Sequence, residues 1–512
     1  MESTRDKKSL SITAIGLLTA AAVVTSLRGL PLLGKEGLTM FVYLGFAVVF
    51  FLLPASLVSA ELGGACADKK GGIYNWVKAA FGSRWGFLAI WLQWIQNVVW
   101  FPVGLTFGAV ALAYAIGRPD LAKSGTFVGS FCIVVYWLAT AVVLRGVEVF
   151  ARYARWAFIA GTVLPGLFLV GIFGYWLVGG HPIGWQHLTD PNLSDAGQAR
   201  WWPRIHGLGT IAFLAGIVLL FAGVEVQAVH VVEMDKPGRS YPLATGLGAL
   251  IALGIFALGA VSLAAILPGD RISLQSGVFD AFSAVVTDLW HLRWLTQVLA
   301  LLVGLGAISG IFAWLGSPSK GLLATAADGE LPPVMQATNG HGMPKHILLG
   351  QGVVVTLMSS MYFAGEAVSV VFFLLSAMTV ALYLIAYMLM YASAIRLRYT
   401  QPKLVRPFQV PFGLAGMWVM AGIGFIGVLF SFLMAFVPPD QLPVGSPTLY
   451  VSLVLIGTIV FCGMPLIIHH LRRPAWARGQ VASNSLNVAP VAAGHGALGR
   501  SSDVAGDAKV PQ

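Results

Sequence analysis

The stretch Phe221-Ala222-Gly223-Val224-Glu225 places a glycine and a carboxylic acid in the middle of an apolar segment that runs from about residue 207 to 232. A charged group inside a segment of membrane-spanning length is costly and is by default a candidate for function. The adjacent glycine predicts a break in the helix, and the backbone groups that a break frees can bind a ligand where they line a cavity. The alternative is a structural glutamate that pairs with a neighbouring helix.

A second stretch, Val23-Val24-Thr25-Ser26-Leu27-Arg28-Gly29-Leu30-Pro31, lies in the first apolar segment and is also a poor helix. β-Branched and hydroxyl residues followed by glycine and proline predict a break there too. If the chain consists of two five-helix halves, the first and sixth spans occupy corresponding positions. Paired interrupted helices in inverted repeats are typical of secondary transporters and mark the binding site. Residue identity reveals no repeat, so this prediction rests on pattern.

The composition of the whole chain requires a membrane around these two stretches. Of 512 residues, 57% are hydrophobic and 10% are charged, whereas soluble domains carry about 25% charged residues. This excludes a soluble enzyme, an ordinary nucleic-acid-binding protein and a disordered scaffold. Apolar runs of about 20 residues predict an all-α polytopic membrane protein with about twelve transmembrane helices. They lie near 10–33, 38–61, 86–115, 125–144, 152–178, 207–232, 242–267, 293–324, 346–364, 367–394, 413–436 and 448–470.

The distribution of basic residues predicts the orientation of the bundle. With the N-terminus in the cytoplasm, most lysines and arginines fall in the inner segments, as the positive-inside rule requires. The net charge of +10 is then a consequence of topology, and no nucleic-acid partner is predicted. The first apolar run is longer than a signal-peptide core, so we predict an uncleaved first helix. An even number of spans returns the C-terminus to the cytoplasm.

The segments outside the spans add no predicted soluble domain. Residues 1–9 are the predicted cytoplasmic N-terminus. The transporter domain is predicted at 10–472, with inverted repeats near 10–178 and 207–394 and two extra helices near 413–470. Residues 179–206, which contain the sequon Asn192-Leu193-Ser194, and residues 268–290 are predicted outer loops. Residues 473–512 are predicted to be a disordered cytoplasmic tail because their composition cannot bury a core.

Two patterns within the spans have structural explanations. Gly422-Ile423-Gly424-Phe425-Ile426-Gly427 fits the dinucleotide-binding spacing, but no strand precedes it and no suitably placed acid follows. Small residues that allow close helix packing explain it. Cys66, Cys132 and Cys462 lack the spacing of a metal or redox motif and are predicted to be buried, unpaired hydrophobes. We predict neither a metal nor a cofactor.

Polar side chains also recur at helical spacing on two other spans. The third span carries Gln93, Gln96, Asn97 and Trp100 on one face. A polar face is unfavourable in lipid, so it points inward, where it either bonds another helix or lines the pathway. Tyr383 and Tyr387 share a face in the middle of the tenth span, away from the interface positions that tyrosines favour. We therefore favour a cavity-lining position for both.

Two charged residues in the spans have alternative interpretations. Arg28 either extends its charged end to the outer interface or faces the cavity, where it pairs with Glu225 or with an anionic group of the substrate. Glu225 is a candidate proton carrier. The rival mechanism is obligatory exchange, in which the empty carrier does not reorient, and sodium coupling is a third possibility.

These features resemble the amino acid–polyamine–organocation (APC) superfamily, and within it most closely the glutamate/γ-aminobutyrate antiporters, over residues 10–470. The sixth span and the following loop match through Gly223-Val224-Glu225, His230-Val231-Val232-Glu233-Met234 and Pro237-Gly238-Arg239-Ser240-Tyr241-Pro242. Further matches are Ala60-Glu61 with Gly71-Gly72-Ile73-Tyr74-Asn75-Trp76-Val77, Ser317-Pro318-Ser319-Lys320-Gly321, and Thr379-Val380, Tyr383-Leu384 and Ala386-Tyr387.

The resemblance implies an inverted-repeat bundle of ten helices, with broken first and sixth helices, plus two C-terminal helices. It implies that N–H groups near Val24, Thr25 and Ser26 hold the α-carboxylate of an amino acid, and that carbonyls from Phe221 to Val224 hold its amino group. The predicted substrate-binding residues are Val24, Thr25, Ser26, Arg28, Phe221, Gly223, Glu225, Trp314, Tyr383 and Tyr387. The predicted pathway or gating residues are Glu61, Gln96, Asn97 and Trp100.

The sequence departs from these antiporters at three places. An acidic residue of the eighth span is replaced by Gly310, and a tyrosine of the first span is replaced by Arg28. The basic, aromatic tail that closes the inner mouth of the antiporters has no counterpart in 474–512 beyond its length. An added arginine and a missing acid make the predicted site more cationic, which favours anionic or neutral amino acids over diamines.

We predict a secondary active amino acid transporter, an antiporter of the glutamate/γ-aminobutyrate type that works by alternating access and is not an enzyme. The alternatives are a proton-coupled permease for neutral or anionic amino acids, a transporter-like amino acid sensor and a channel. An intramembrane enzyme would need a nucleophile–base pair or a metal cluster, and neither is visible. The predicted partners are an amino acid, a counter-substrate, protons under proton coupling, and the lipid bilayer. We expect a monomer or homodimer in a bacterial inner membrane, with both termini cytoplasmic.

Overall fold

A computed structural model describes residues 11–66, 71–146, 156–186, 201–203, 205–226, 234, 236–364, 367–439 and 446–477. These residues form helices and connecting loops. The described part of the chain contains no β-strand and only one isolated β-bridge, between Thr338 and Pro344. The predicted all-α class is confirmed.

Ten helices of the described residues are long and apolar enough to cross a membrane. They are Gly37–Ala65, Ser83–Ala115, Gly125–Leu144, Trp156–Val178, Arg239–Ile266, Arg293–Ala324, Lys345–Ala364, Val368–Thr400, Gly413–Met434 and Pro447–His470. A pair at the start of the chain, Ile15–Val23 and Leu27–Gly34, is bent by 45° and together forms the first span. The ten helices are the second to fifth and the seventh to twelfth spans of the predicted order.

The sixth predicted span differs from the others because its described helix is short. A 3-10 turn at Leu208–Ile211 leads into the α-helix Phe213–Leu219, and turns follow as far as residue 226. Residues 227–233 lie outside the described part of the chain. The count of twelve spans therefore stays a prediction.

The span boundaries follow the apolar runs, with differences at the charged ends. The predicted spans 125–144 and 293–324 coincide with Gly125–Leu144 and Arg293–Ala324. The tenth helix extends beyond the predicted residue 394 to Thr400. It does so because backbone hydrogen bonds continue past the last apolar residue into Arg396 and Arg398, whereas the apolar run ends before these arginines.

The centre of the bundle is formed by the third, eighth and tenth spans. In the third span, 78% of the most apolar window is buried, against 22% in the twelfth. Large apolar side chains such as Leu138, Leu167 and Leu250 are exposed on the outside of the bundle. Lipid covers such an apolar surface in a membrane, and packing between helices therefore depends on shape rather than on hydrophobicity. The structure and composition together describe an integral membrane protein.

Small residues bring several of these helices close together. A Cβ atom at Gly161 of the fifth span would lie 2.3 Å from the backbone nitrogen of Gly306 in the eighth. In the glycine-rich stretch of the eleventh span, a Cβ at Gly427 would lie 2.5 Å from Phe50, and one at Gly424 would meet Tyr391 and Pro54. Helix packing thus explains both glycines. Cys66 and Cys132 are buried, Cys462 is half-buried, and none of the three forms a disulfide bond with another described residue.

Two helices of more than five residues lie outside the spans in the described part of the chain. The predicted outer loop 268–290 contains the helix Gly277–Phe282, which continues as a π-helical turn through Thr287. This part of the predicted outer loop is helical because Val278, Phe279 and Phe282 form a short apolar face that is buried against the bundle. On the other side, the helix Ile73–Phe81 connects the second and third spans.

A polar cluster ties the end of the twelfth span to the loop after the eighth. Glu330 is completely buried, and its carboxylate lies 2.6 Å from Nδ1 of His469 and 2.8 Å from Nη1 of Arg472. Gln336 donates a hydrogen bond of 3.1 Å to the carbonyl of Trp476. Residues 474–477 of the predicted tail are helical, and residues 478–512 lie outside the described part. So do residues 187–200 of the outer loop, with the sequon.

Candidate functional site

The first span is broken where the sequence predicts it. The helix Ile12–Val23 ends, and a 3-10 turn at Leu27–Gly29 begins after three residues. Ser26 has an extended backbone with φ of −169°, and its hydroxyl accepts a hydrogen bond of 3.4 Å from the N–H of Arg28. Serine is a favoured residue at such a helix start because its side chain satisfies a free backbone donor.

The helix of the sixth span ends at Leu219, and turns lead from there to Gly223. This residue has φ of +110°, a conformation that side chains disfavour. A Cβ atom there would lie 3.3 Å from the carbonyl oxygen of Ala22 in the first span and 3.4 Å from the ring of Trp314 in the eighth. Glycine is therefore required both by the backbone and by the close approach of the two neighbouring spans.

The two broken spans pack directly against each other. A Cβ at Gly29 would lie 2.5 Å from Leu220, and one at Gly216 would lie 2.9 Å from Leu32. A Cβ at Gly310 of the eighth span would lie 3.0 Å from the carbonyl oxygen of Thr25. The break of the first span is thus enclosed by glycines on two other spans.

Glu225 is buried in the turn after the break and is held by the tenth span. The phenol groups of Tyr383 and Tyr387 donate hydrogen bonds to its two carboxylate oxygens, the latter at 2.5 Å. The N–H of Gly223 lies 3.2 Å from the same oxygen and donates to the Tyr387 hydroxyl at 3.0 Å. The carboxylate, the backbone break and the two tyrosines therefore form one hydrogen-bonded unit.

A cavity of about 130 Å³ lies next to this unit, between the broken spans and the third, eighth and tenth spans. We call it the central cavity. The predicted residues that line it are Thr25, Ser26, Arg28, Gln96, Asn97, Trp100, Trp314 and Tyr383. Since a water molecule needs about 10–15 Å³ measured in this way, the central cavity holds about ten waters, which is the size range of a small amino acid.

The remaining predicted residues do not line the central cavity. Val24 and Phe221 are fully buried in the packing of the two broken spans. Three further residues do not line the cavity: Gly223, Glu225 and Tyr387. Tyr383 connects them to it, because Tyr383 lines the cavity and donates a hydrogen bond to Glu225. The structure thus divides the predicted set into a lining layer and a supporting layer.

Glu61 belongs to a separate polar cluster. Its carboxylate lies 2.7 Å from Nη2 of Arg398 and 3.2 Å from Nε of Arg406, and it accepts the N–H of Val410 at 2.7 Å. Arg406 also donates to the carbonyls of Leu397, Gln401 and Leu404. This cluster joins the end of the second span to the loop after the tenth.

Arg28 faces the central cavity. Its guanidinium carbon lies 5.5 Å from the centre of the Trp100 ring, within the range of a cation–π interaction. Among the described residues, Arg28 makes no ion pair, and Glu225 has its oxygens occupied by the tyrosines. Of the predicted positions, a place in the cavity agrees with the structure, and pairing with Glu225 and extension to the outer interface do not.

Sequence reasoning missed the apolar part of the lining. Phe256, Phe372, Phe373, Met434 and Tyr450 come from the seventh, tenth, eleventh and twelfth spans. An apolar side chain in an apolar span carries no signal that separates lipid contact from cavity lining, so the pattern offered no way to find them. The described residues contain no group of three His, Cys, Asp or Glu side chains placed to hold a metal ion.

The sequence matches a known family. The sequence model of the amino acid permease family covers residues 9–461. The chain belongs to the amino acid permease family. This permease is 33% identical over 459 residues to an uncharacterised transporter of Legionella pneumophila, covering 90% of this chain and 96% of the relative.

Two further relatives of the permease have names that describe exchange. It is 30% identical over 471 residues to a glutamate/γ-aminobutyrate antiporter of Lactococcus lactis, covering 91% of each chain. It is 21% identical to a probable agmatine/putrescine antiporter of the same species, over 90% of this chain and 94% of that one. The resemblance to the APC superfamily and to the glutamate/γ-aminobutyrate antiporters is confirmed.

Proposed function

We propose that this permease is a secondary active amino acid antiporter that exchanges an amino acid such as glutamate for a related counter-substrate by alternating access. The observation that carries the proposal is the central cavity bounded by two interrupted spans that touch each other at Gly29 and Leu220. Broken helices facing each other at the middle of a bundle are where secondary transporters bind substrate. The similarity to a named glutamate/γ-aminobutyrate antiporter supports the same function.

The binding mode follows from the ends of the broken helices. We propose that the α-carboxylate binds N–H groups near Val24, Thr25 and Ser26, since the start of a helix favours an anion. The amino group binds carbonyls between Phe221 and Val224, since the end of a helix favours a cation. Trp314 contacts Gly223 and lines the cavity, which supports a place for its ring beside the substrate.

Glu225 is the proposed coupling residue. It lies between the broken sixth span and the tenth span, and its partners are neutral phenols and a backbone N–H. A proton on this carboxylate would change the hydrogen bonds that join the two spans. Proton-coupled uptake of neutral or anionic amino acids is therefore the second candidate mechanism, and obligatory exchange without protons is the first.

The orientation is proposed from the positive-inside rule, with both termini in the cytoplasm of a bacterium and the bundle in its inner membrane. In that orientation Leu32, Leu274 and Tyr450 lie toward the outer side, and all three line the central cavity. The described arrangement then corresponds to a cavity on the outer side of the two breaks.

The test is uptake of labelled glutamate into proteoliposomes that contain the purified permease. The vesicles are preloaded with buffer, glutamate, γ-aminobutyrate, glutamine or arginine, and uptake is followed at an acidic and at a neutral pH. We expect saturable uptake only with an internal amino acid. Uptake into empty vesicles that requires a proton gradient would establish the proton-coupled permease instead.

The same assay separates the transporter from the other candidates. A channel gives uptake that does not saturate and needs no counter-substrate. A sensor binds glutamate without uptake in any vesicle. If glutamate is neither bound nor transported, the substrate assignment fails, and a wider panel of amino acids is then required.

A further inference from the structure

The central cavity contains a single formal charge. Its described lining consists of apolar, aromatic, hydroxyl and amide side chains, and Arg28 is the one lysine, arginine, aspartate or glutamate among them. Gln96 and Asn97, which line the same cavity, both donate their amide N–H groups to the carbonyl of Gln93 on their own helix. The electrostatic character of the cavity is therefore set by Arg28.

Arg28 is half-buried, and it forms no ion pair with a carboxylate among the described residues. Its Nε atom is buried, and no hydrogen-bond partner for it lies among the described residues. The ring of Trp100 stabilises the guanidinium through its electron-rich face but does not neutralise it. An unpaired charge in a low-dielectric cavity is unfavourable unless an opposite charge or hydrogen bonds compensate for it.

We propose that Arg28 binds the side-chain carboxylate of the substrate, so that the permease selects amino acids that carry a carboxylate at the end distant from the α-carbon. This proposal rests on the proposed function. A planar guanidinium binds a carboxylate through two parallel hydrogen bonds, and its charge repels diamines and cationic amino acids.

The chemistry of glutamate and γ-aminobutyrate, the two substrates in the name of the Lactococcus lactis relative, indicates which carboxylate Arg28 binds. Glutamate carries an amino group and two carboxylates, and γ-aminobutyrate is glutamate without the α-carboxylate. A site that accepts both must therefore recognise the amino group and the distal carboxylate, because only these are common to the two molecules. The breaks in the first and sixth spans serve the α-carboxylate and the amino group in the proposed binding mode, and Arg28 is the remaining cationic group for the distal carboxylate.

The experiment compares three substrates that differ in these groups. Glutamate has both carboxylates, glutamine has only the α-carboxylate, and γ-aminobutyrate has only the distal one. KM values for transport, or inhibition constants against labelled glutamate where transport is slow, are measured for the wild type and for Arg28→Gln and Arg28→Lys. Arg118→Gln, which removes an exposed arginine paired with Asp120 on an outer loop, is the matched control.

We expect Arg28→Gln to raise the KM for glutamate and for γ-aminobutyrate by about thirtyfold or more, the effect of removing one member of a buried charge pair. The KM for glutamine stays unchanged or falls, so that selectivity shifts toward the neutral amino acid. Arg28→Lys retains the charge but lacks the planar guanidinium that forms two parallel hydrogen bonds, so it gives intermediate KM values. Thermal stability of substrate-free Arg28→Gln is equal to or higher than that of the wild type, because an unpaired charge has been removed, and its stabilisation by added glutamate is lost.

Three results would overturn the proposal. Equal losses for glutamate and glutamine with γ-aminobutyrate unaffected would place Arg28 at the α-carboxylate. Unchanged KM values for all three would make Arg28 a bystander. A folded Arg28→Gln variant with a lower thermal stability, equal losses for every substrate and no rescue by lysine would make it structural. The proposed function fails separately, since that failure appears as a wild type that transports neither glutamate nor γ-aminobutyrate.

Discussion

Glu61 and Glu225 are both buried carboxylates with three polar partners each, yet those partners differ in charge. Two arginines and the N–H of Val410 surround Glu61, whereas two phenols and the N–H of Gly223 surround Glu225. Arginine stays protonated under all physiological conditions, so the charge of Glu61 is compensated in one fixed arrangement. Phenols provide hydrogen bonds without a compensating positive charge.

We infer from this difference that the Glu61 cluster has a structural role and that the hydrogen-bonded unit around Glu225 has a functional one. The Glu61 cluster joins the second span to the end of the tenth and to the loop that follows it, and two arginines compensate the charge of its carboxylate. The Glu225 unit joins a helix break to the wall of the central cavity, and its hydrogen bonds depend on whether the carboxylate carries a proton. We infer that Glu61 stabilises one conformation, whereas Glu225 is suited to a change between conformations. The predicted gating role of Glu61 remains untested.

The largest effect is expected from Glu61→Ala. This change leaves Arg398 and Arg406 without their shared carboxylate in a mostly buried position, and breaking such a buried pair costs about 3–5 kcal/mol in the free energy of unfolding. The measurement is thermal unfolding of the purified protein in detergent. Asp120→Ala, which removes the exposed partner of Arg118, is the control and should leave the melting temperature unchanged. A melting temperature equal to that of the wild type for Glu61→Ala would contradict the structural role.

A smaller effect on stability and a larger one on transport are expected from Glu225→Gln. The amide keeps an acceptor for one phenol and offers a donor to the other, so the fold persists. Hydrogen bonds to a charged group are worth about 1.5–3 kcal/mol, and their weakening should reduce exchange about tenfold to a hundredfold. Under proton coupling, the residual transport also loses its pH dependence. Exchange in proteoliposomes with wild-type rate and wild-type pH profile would exclude Glu225 from coupling.

The sequence predicted the membrane, most of the spans and both breaks, because each rests on local chemistry. Apolar runs define the helices, and Gly223 next to Glu225 defines a break. The sequence also placed Tyr383 and Tyr387 on one inward face. It did not predict that both phenols bond the same carboxylate, since that contact depends on how the sixth and tenth spans pack.

Other parts of the site depend on contacts that no local pattern contains. Glu61 is 337 positions away from its partner Arg398, so its ion pair was not apparent and it was grouped with the pathway residues. The apolar lining from Phe372 and Tyr450 was missed because those residues resemble any lipid-facing side chain. The sequence identifies Arg28 as an unusual charge within a span. Only the fold shows that its side chain faces the cavity and not the outer interface.

The smallest expected effect is the difference in stability and kinetics between phenylalanine variants of the two tyrosines that bond Glu225. Tyr387→Phe removes a phenol that donates to Glu225 and accepts the N–H of Gly223. The Gly223 N–H then keeps only its 3.2 Å contact with Glu225, so the change should loosen the break and cost about 1–3 kcal/mol for the two hydrogen bonds lost. Tyr383→Phe removes one donor to Glu225 at the cavity wall and leaves the backbone contact intact. We therefore expect Tyr387→Phe to lower thermal stability and the maximal exchange rate, and Tyr383→Phe to change mainly the KM. Identical kinetic and thermal profiles for the two variants would show that the lining and supporting positions are not functionally distinct, because only Tyr383 contacts the cavity.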